Sequence, residues 1–244
     1  MDISKNISRF NESDDRGPTG RNGSFDYCFN YFQSFHREKN VQAIAATENI
    51  ERSCLHLGFY LASWGMLRGS SFLLRKSSKH YQQLIENLVQ FEPAIWDIDV
   101  DSYHDEAKRS LLIECGKMIA RSLGDKNHSP TLKTKIMLGV FGNVPAFDDY
   151  FPGGLGLAKN ASFCPKNLKE IFKFYNDYKT EIDSYRRKLR TCDFLTGQLT
   201  RVFYTRAKII DMVGFVEGGG LEKETVPPCP LMFFRQQKGR SREV

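Results

Sequence analysis

Two adjacent carboxylates, Asp148 and Asp149, stand between Phe147 and the aromatic pair Tyr150 and Phe151, inside a Gly- and Pro-containing stretch at 142–156. Aromatic neighbours that exclude water raise a carboxylate's pKa and prepare it to accept a proton, so Asp148 is a candidate base. The plainer alternative is that an Asp caps the following turn while the aromatics fill the core. A second polar group follows a helix-like run, where Gly65 and Gly69 bracket Arg68, with Ser70 and Ser71 next. A guanidinium beside hydroxyls suits a phosphate or carboxylate, which makes Arg68, Ser70, Ser71, Asp149 and Tyr150 candidate binding residues. Alternatively, Arg68 pairs with an internal Asp and the serines cap the next helix.

Other chemistry-bearing residues are less organised. Asp97, Asp99 and Asp101 precede Glu106-Ala107-Lys108, an arrangement reminiscent of magnesium-dependent nucleases. Here, however, the triplet opens a helix, where acids complement the N-terminal dipole. The histidines at 36, 56, 80, 104 and 128 have no spacing that puts two imidazoles on one helical face, and the six cysteines stand far apart. Neither a metal site nor a disulfide framework is expected, and no cofactor motif is recognisable. Gly153-Gly154-Leu155-Gly156 with Lys159 lacks the preceding strand and the Lys-Ser or Lys-Thr closure of a phosphate cradle.

The segment from Lys133 through Thr134, Gly139 and Pro145 to Asp148 resembles part of the endonuclease-III-like, helix-hairpin-helix DNA glycosylases, where a helix, a loop and a catalytic Asp follow in that order. That resemblance implies that Lys133 attacks the sugar and Asp148 assists departure of the base. The glycine hairpin expected ahead of the Lys is replaced by Asn127-His128-Ser129-Pro130-Thr131-Leu132, and the spacing to the Asp is shorter. Separately, the stretches Tyr60–Phe72 and Val144–Phe151 are similar to segments of uncharacterised bacterial proteins. This similarity implies a bacterial origin and no particular activity.

The elements that must position these residues are helical. Phe25, Cys28, Phe29, Phe32 and Phe35 recur every three or four residues, predicting a helix that ends near Arg37. A helix over 47–67, capped by Thr47 and apolar almost all round, is expected at the centre of the core. Further periodic runs include Tyr81–Leu88, Ala107–Ile119 and Leu132–Val140, then a long amphipathic stretch from Asn167 to about Arg190 and a helix ending near Val213. No succession of strand-like alternations is present. The expectation is an all-α, single compact domain of about seven helices over 25–217, with a flexible leader at 1–24 and an irregular basic tail at 218–244.

Composition limits the function. With 41% hydrophobic, 26% charged and 13% aromatic residues among 244, the chain can build a sizeable core. No run approaches the length of a membrane span, Met1–Asn11 has no apolar core of a signal peptide, and a cytoplasmic location is expected. The formal charge is +6, and residues 166–208 hold 11 Lys or Arg against 5 acids. This basic segment fits a nucleic-acid partner, or a solvated helix face. Two functions are compatible with these features: a DNA-associated helical protein of divergent glycosylase type, and a non-catalytic helical interaction module.

Overall fold

A computed structural model describes residues 1–13, 17–124, 129–158 and 161–221. These residues form ten α-helices, several short 3-10 turns and one two-stranded antiparallel sheet. The predominantly helical architecture holds, with more helices than the expected seven.

Two helices form the centre. Helix α6 (Pro130–Phe141) and helix α10 (Arg206–Glu217) are buried on nearly every face, as their continuous apolar runs require. Ser129 caps α6 by accepting the Leu132 amide at 3.3 Å, and Pro130 occupies the first turn, where its missing N–H costs nothing. The helix ends at Gly142, whose φ of 69° is left-handed. Helix α10 begins after Thr205, which caps it through the Lys208 amide at 3.1 Å. Asp99, 107 residues earlier, also accepts the Arg206 and Ala207 amides at 2.9 and 3.0 Å, so it serves a helix terminus distant in sequence.

Around this pair pack α2 (Gly23–Arg37), α3 (Ile50–Ser63), α4 (Gln82–Gln90) and α5 (Glu106–Ser122). Helix α2 follows the predicted periodicity, burying Phe25, Cys28, Phe29 and Phe32. The central position expected for 47–67 is corrected: α3 buries one face through Cys54, Leu57, Tyr60 and Leu61 but leaves Leu55 and Phe59 exposed. An apolar run all round a helix therefore covers two cases here, burial in α6 and a surface apolar stripe in α3.

The flexible leader is also corrected in part. Within it, α1 (Ile3–Asn11) is capped by Asp2 and packs Ile3, Ile7 and Phe10 into the core beside α10, with Asn6 Nδ2 donating to Glu217 at 2.7 Å. Residues 14–16 of the leader and 222–244 of the expected tail lie outside the described residues.

The long amphipathic run divides into α8 (Pro165–Asp177) and α9 (Lys179–Arg186). A straight helix would set Tyr175 and Asp183 about 12 Å apart along its axis. The break brings the Tyr175 hydroxyl to 3.3 Å from the Asp183 carboxylate, and both meet the Arg206 Nε. After α9, β1 (Arg190–Cys192) and β2 (Leu199–Phe203) pair in a hairpin too short to leave an alternation in the sequence. Asp26 of α2 anchors it, accepting the Cys192 amide at 2.8 Å and the Tyr204 hydroxyl at 2.6 Å. Among the described residues no helix is long and apolar enough to cross a membrane.

The four-residue α7 (Phe151–Gly154) crosses α10 at van der Waals contact, because both helices present glycine. A Cβ on Gly154 would collide with the Gly214 carbonyl oxygen, a backbone atom that cannot swing away. Gly154→Ala is expected to lower unfolding free energy by about 2–3 kcal/mol, measured by urea titration, through forced separation of α7 from α10.

Candidate functional site

The loop after α6 is held by side chains rather than by sheet or helix ladders. The Thr134 hydroxyl, fully buried in α6, accepts the Phe147 amide at 2.8 Å, while the Thr131 hydroxyl donates to the Phe147 carbonyl at 2.7 Å. From α10, Asp211 accepts the Ala146 amide at 2.9 Å. Asn143 donates to the Ile95 carbonyl at 3.1 Å and its own carbonyl accepts the Tyr103 hydroxyl. A buried loop must satisfy its polar backbone groups somehow, and here α6 and α10 supply the partners.

Asp148 follows directly. Its Oδ1 accepts the Tyr150 and Phe151 amides, each at 3.0 Å, so this oxygen caps α7. Its Oδ2 is left facing Lys135 Nζ of α6 at 3.9 Å, and Lys135 also donates to the Trp64 carbonyl at 3.2 Å. The two alternatives for Asp148 are thus realised together, one oxygen capping and the other available. Burial lowers the pKa of Lys135, partly opposed by the charges of Asp148 and Asp211. Burial raises that of Asp148, opposed first by Lys135 and by the two amides. The lowered lysine pKa makes the amine easier to deprotonate than that of a surface lysine, and the raised aspartate pKa makes the carboxylate a stronger base.

Behind this pair lies a second. Lys208 Nζ meets Asp211 Oδ2 at 2.9 Å, with both residues buried and the ammonium 4.5 Å from the Phe25 ring centroid. A gap of about 10 Å³ separates the two pairs, bordered by Tyr60 and Trp64. That volume is on the scale of one water molecule. Three cations lie about equally far from the Trp64 ring centroid: Arg21 at 5.0 Å, Lys135 at 5.1 Å and Lys208 at 5.2 Å. Cation–π attraction at such distances helps keep the cluster's positive charges indoors.

In front of Lys135 and Asp148 opens a cavity of about 570 Å³. Its walls include Arg21, Trp64, Arg68, Tyr150 and Phe215, and its rim carries Asp149 and Ser129. Of the residues singled out from the sequence, Arg68, Asp148, Asp149 and Tyr150 converge here. Ser70 and Ser71 do not: Ser70 is exposed, and Ser71 caps the 3-10 turn at 72–75 through the Leu73 amide while donating to the Met66 carbonyl at 2.6 Å. Lys133 is half-buried and does not line the cavity. Positions two apart on a helix do not share a face, and α6 turns Lys135 inward to Asp148.

Sequence reasoning missed Lys135, Trp64, Lys208 and Asp211. A signal existed for three of them: Lys135 sits in a helix apolar all round, and Lys208 and Asp211 interrupt another at the i,i+3 spacing that lets them pair. Of the acids at 97, 99 and 101, Asp97 faces His36, whereas Asp99 and Asp101 both pair with Arg206 at the start of α10. Among the described residues, no three His, Cys, Asp or Glu assemble as a metal site. Lys159 lies outside the described residues. Of the basic segment, Arg206 and Lys208 are spent on internal ion pairs, whereas the other nine cations from Lys166 to Arg201 are exposed.

The fold and site define a helical chain around a lysine–carboxylate cavity. No known protein family, curated protein or solved structure matches this chain.

Replacing Thr134 with the isosteric Val removes the acceptor for the buried Phe147 amide. Stability is expected to fall by about 1–3 kcal/mol, with faster amide exchange at Phe147 than at the α10 amides, read by hydrogen-exchange NMR.

Proposed function

We propose that this chain is a DNA-associated enzyme of glycosylase type in which Lys135, in place of Lys133, is the nucleophile and Asp148 the base that takes its proton. The observation that carries the reading is the buried amine 3.9 Å from a carboxylate at the floor of a cavity large enough for a nucleotide. Trp64, Tyr150 and Phe215 offer faces and edges for a planar base, and Arg21 and Arg68 offer charge for a phosphate. The helix–loop–Asp order of the glycosylase resemblance is kept, with the lysine moved by two positions.

In this reading the Nζ lone pair of neutral Lys135 forms a bond to the sugar C1′ as the C1′–N bond to the base breaks. The departing base takes the electron pair and a solvent proton. The proton released by the new secondary ammonium passes to Asp148 Oδ2, while the two amides on Oδ1 hold the carboxylate in place. The nitrogen lone pair then forms the second bond to C1′ as the C1′–O4′ bond breaks, O4′ takes the proton from Asp148, and a protonated imine between Lys135 and C1′ remains. The competing reading, a non-catalytic helical interaction module, draws on the exposed apolar residues Leu55, Phe59, Phe194 and Leu195.

Borohydride reduction of the protein with an oligonucleotide bearing an abasic aldehyde separates the two. The expected result is a covalent protein–DNA band, reduced at least about tenfold in Lys135→Gln and retained in Lys133→Gln, with both variants folded by circular dichroism. An adduct of equal yield in Lys135→Gln, or no adduct with any protein, would contradict the proposal.

A further inference from the structure

A second, larger cleft of about 950 Å³ adjoins the cavity, and Arg21 and Ser63 line both. One wall is the surface stripe of α3, with Leu55 51% and Phe59 68% exposed one turn apart and His56 between them stacked on Tyr31 at 4.2 Å. The other wall is the tip of the β1–β2 hairpin, where Phe194 is 71% and Leu195 89% exposed. Apolar side chains so exposed in a mobile loop would collapse inward, but this tip is braced. The Asp193 carboxylate accepts the Leu195 amide at 3.1 Å, the Thr196 amide at 2.9 Å and the Thr196 hydroxyl at 2.9 Å, and the Phe194 ring rests edge-on against Tyr27 at 5.0 Å. The two walls stand apart in solvent on separate elements.

Charge identifies the occupant. Arg21 and Arg52 line the cleft, no Asp or Glu among the described residues does, and Arg190 and Arg201 stand exposed on the strands of the hairpin with Lys188 just before it. A second copy of this chain seated face to face would oppose like charges. Nucleic acid has both of the required properties, apolar faces on its bases and negative charge on its backbone. We propose that this cleft holds the nucleobases flanking the nucleotide that enters the Lys135–Asp148 cavity, with Phe194 and Leu195 inserted against unstacked bases and Arg21 placed at the connecting phosphate. Extruding one nucleotide leaves a gap in the stack, and apolar side chains that fill it offset part of the unstacking cost. The inference rests on the proposed nucleic-acid reading but not on Lys135 chemistry.

The test uses duplex DNA carrying a tetrahydrofuran abasic analogue with 2-aminopurine beside it, and the full chain as wild type, Phe194→Ala/Leu195→Ala and Phe59→Ala. All three apolar side chains are solvent-exposed, so these substitutions should leave thermal unfolding unchanged. Wild type is expected to bind with a rise in 2-aminopurine fluorescence. The double variant should bind at least about fivefold more weakly and lose the rise while keeping the slope of log affinity against log salt, because no cation is removed. Phe59→Ala should fall between them. Equal affinity and fluorescence in the double variant would overturn the proposal, as would failure of wild type to bind this DNA, or a wild-type dimer in gel filtration that the double variant disperses. Imine trapping that fails while the fluorescence pattern holds would remove the catalytic reading alone. The reverse outcome would remove the base-binding cleft alone.

Discussion

Four ionisable side chains in the core of this protein, Lys135, Asp148, Lys208 and Asp211, impose the constraint on which the remainder depends. An isolated buried ion costs several kcal/mol, so each must be paired and its remaining hydrogen-bonding capacity met. Two lysines and two aspartates from α6, α10 and the intervening loop meet that requirement collectively. The loop 142–150 takes its path because Thr134 and Asp211 claim its amides. Once the path is set, Asp148 can reach both the start of α7 and the Lys135 amine.

The same requirement explains why so much of the fold converges on α10. Its N-terminus is tied by Asp99 and, through Arg206, to Asp101 and Asp183, so the region between α4 and α5 and helix α9 are fastened to one point. Its middle supplies Lys208 and Asp211 to the charged cluster. Its Gly214 admits α7, and its outer side receives α1. The burial that stabilises this arrangement also moves the Lys135 and Asp148 pKa values toward their uncharged forms. Since Lys135 titrates below its unfolded value, the unfolded chain holds the extra proton between those two pH values, and its contribution to stability rises with pH across that window.

Much of this was legible in the sequence wherever a helix has one buried face. The Phe-rich period of α2 and the apolar runs of α4, α5 and α6 have direct structural counterparts. Helix α1 escaped because three apolar residues in a polar nonapeptide are a faint signal, and the hairpin escaped because a three-residue strand cannot display an alternation. The α8–α9 break has neither Pro nor Gly at Tyr178. It is dictated by a tertiary contact with Arg206, which no local pattern encodes. At the site, Asp148, Asp149, Tyr150 and Arg68 were found from their turn and aromatic context. The glycosylase resemblance points to Lys133 and passes over Lys135, because motif order fixes a neighbourhood, whereas the facing side chain depends on a rotation of about 200° between positions two apart on a helix.

Burial and Asp148 jointly set the charge of Lys135. Selective isotope labelling of lysine and NMR titration of the Nζ resonance measure it directly. Lys135 is expected to titrate below the ordinary lysine value of 10.5 in the wild type, and lower still in Asp148→Asn, where the carboxylate charge that favours the ammonium is gone. A Lys135 that titrates like the exposed lysines, or that is indifferent to Asp148→Asn, would contradict it.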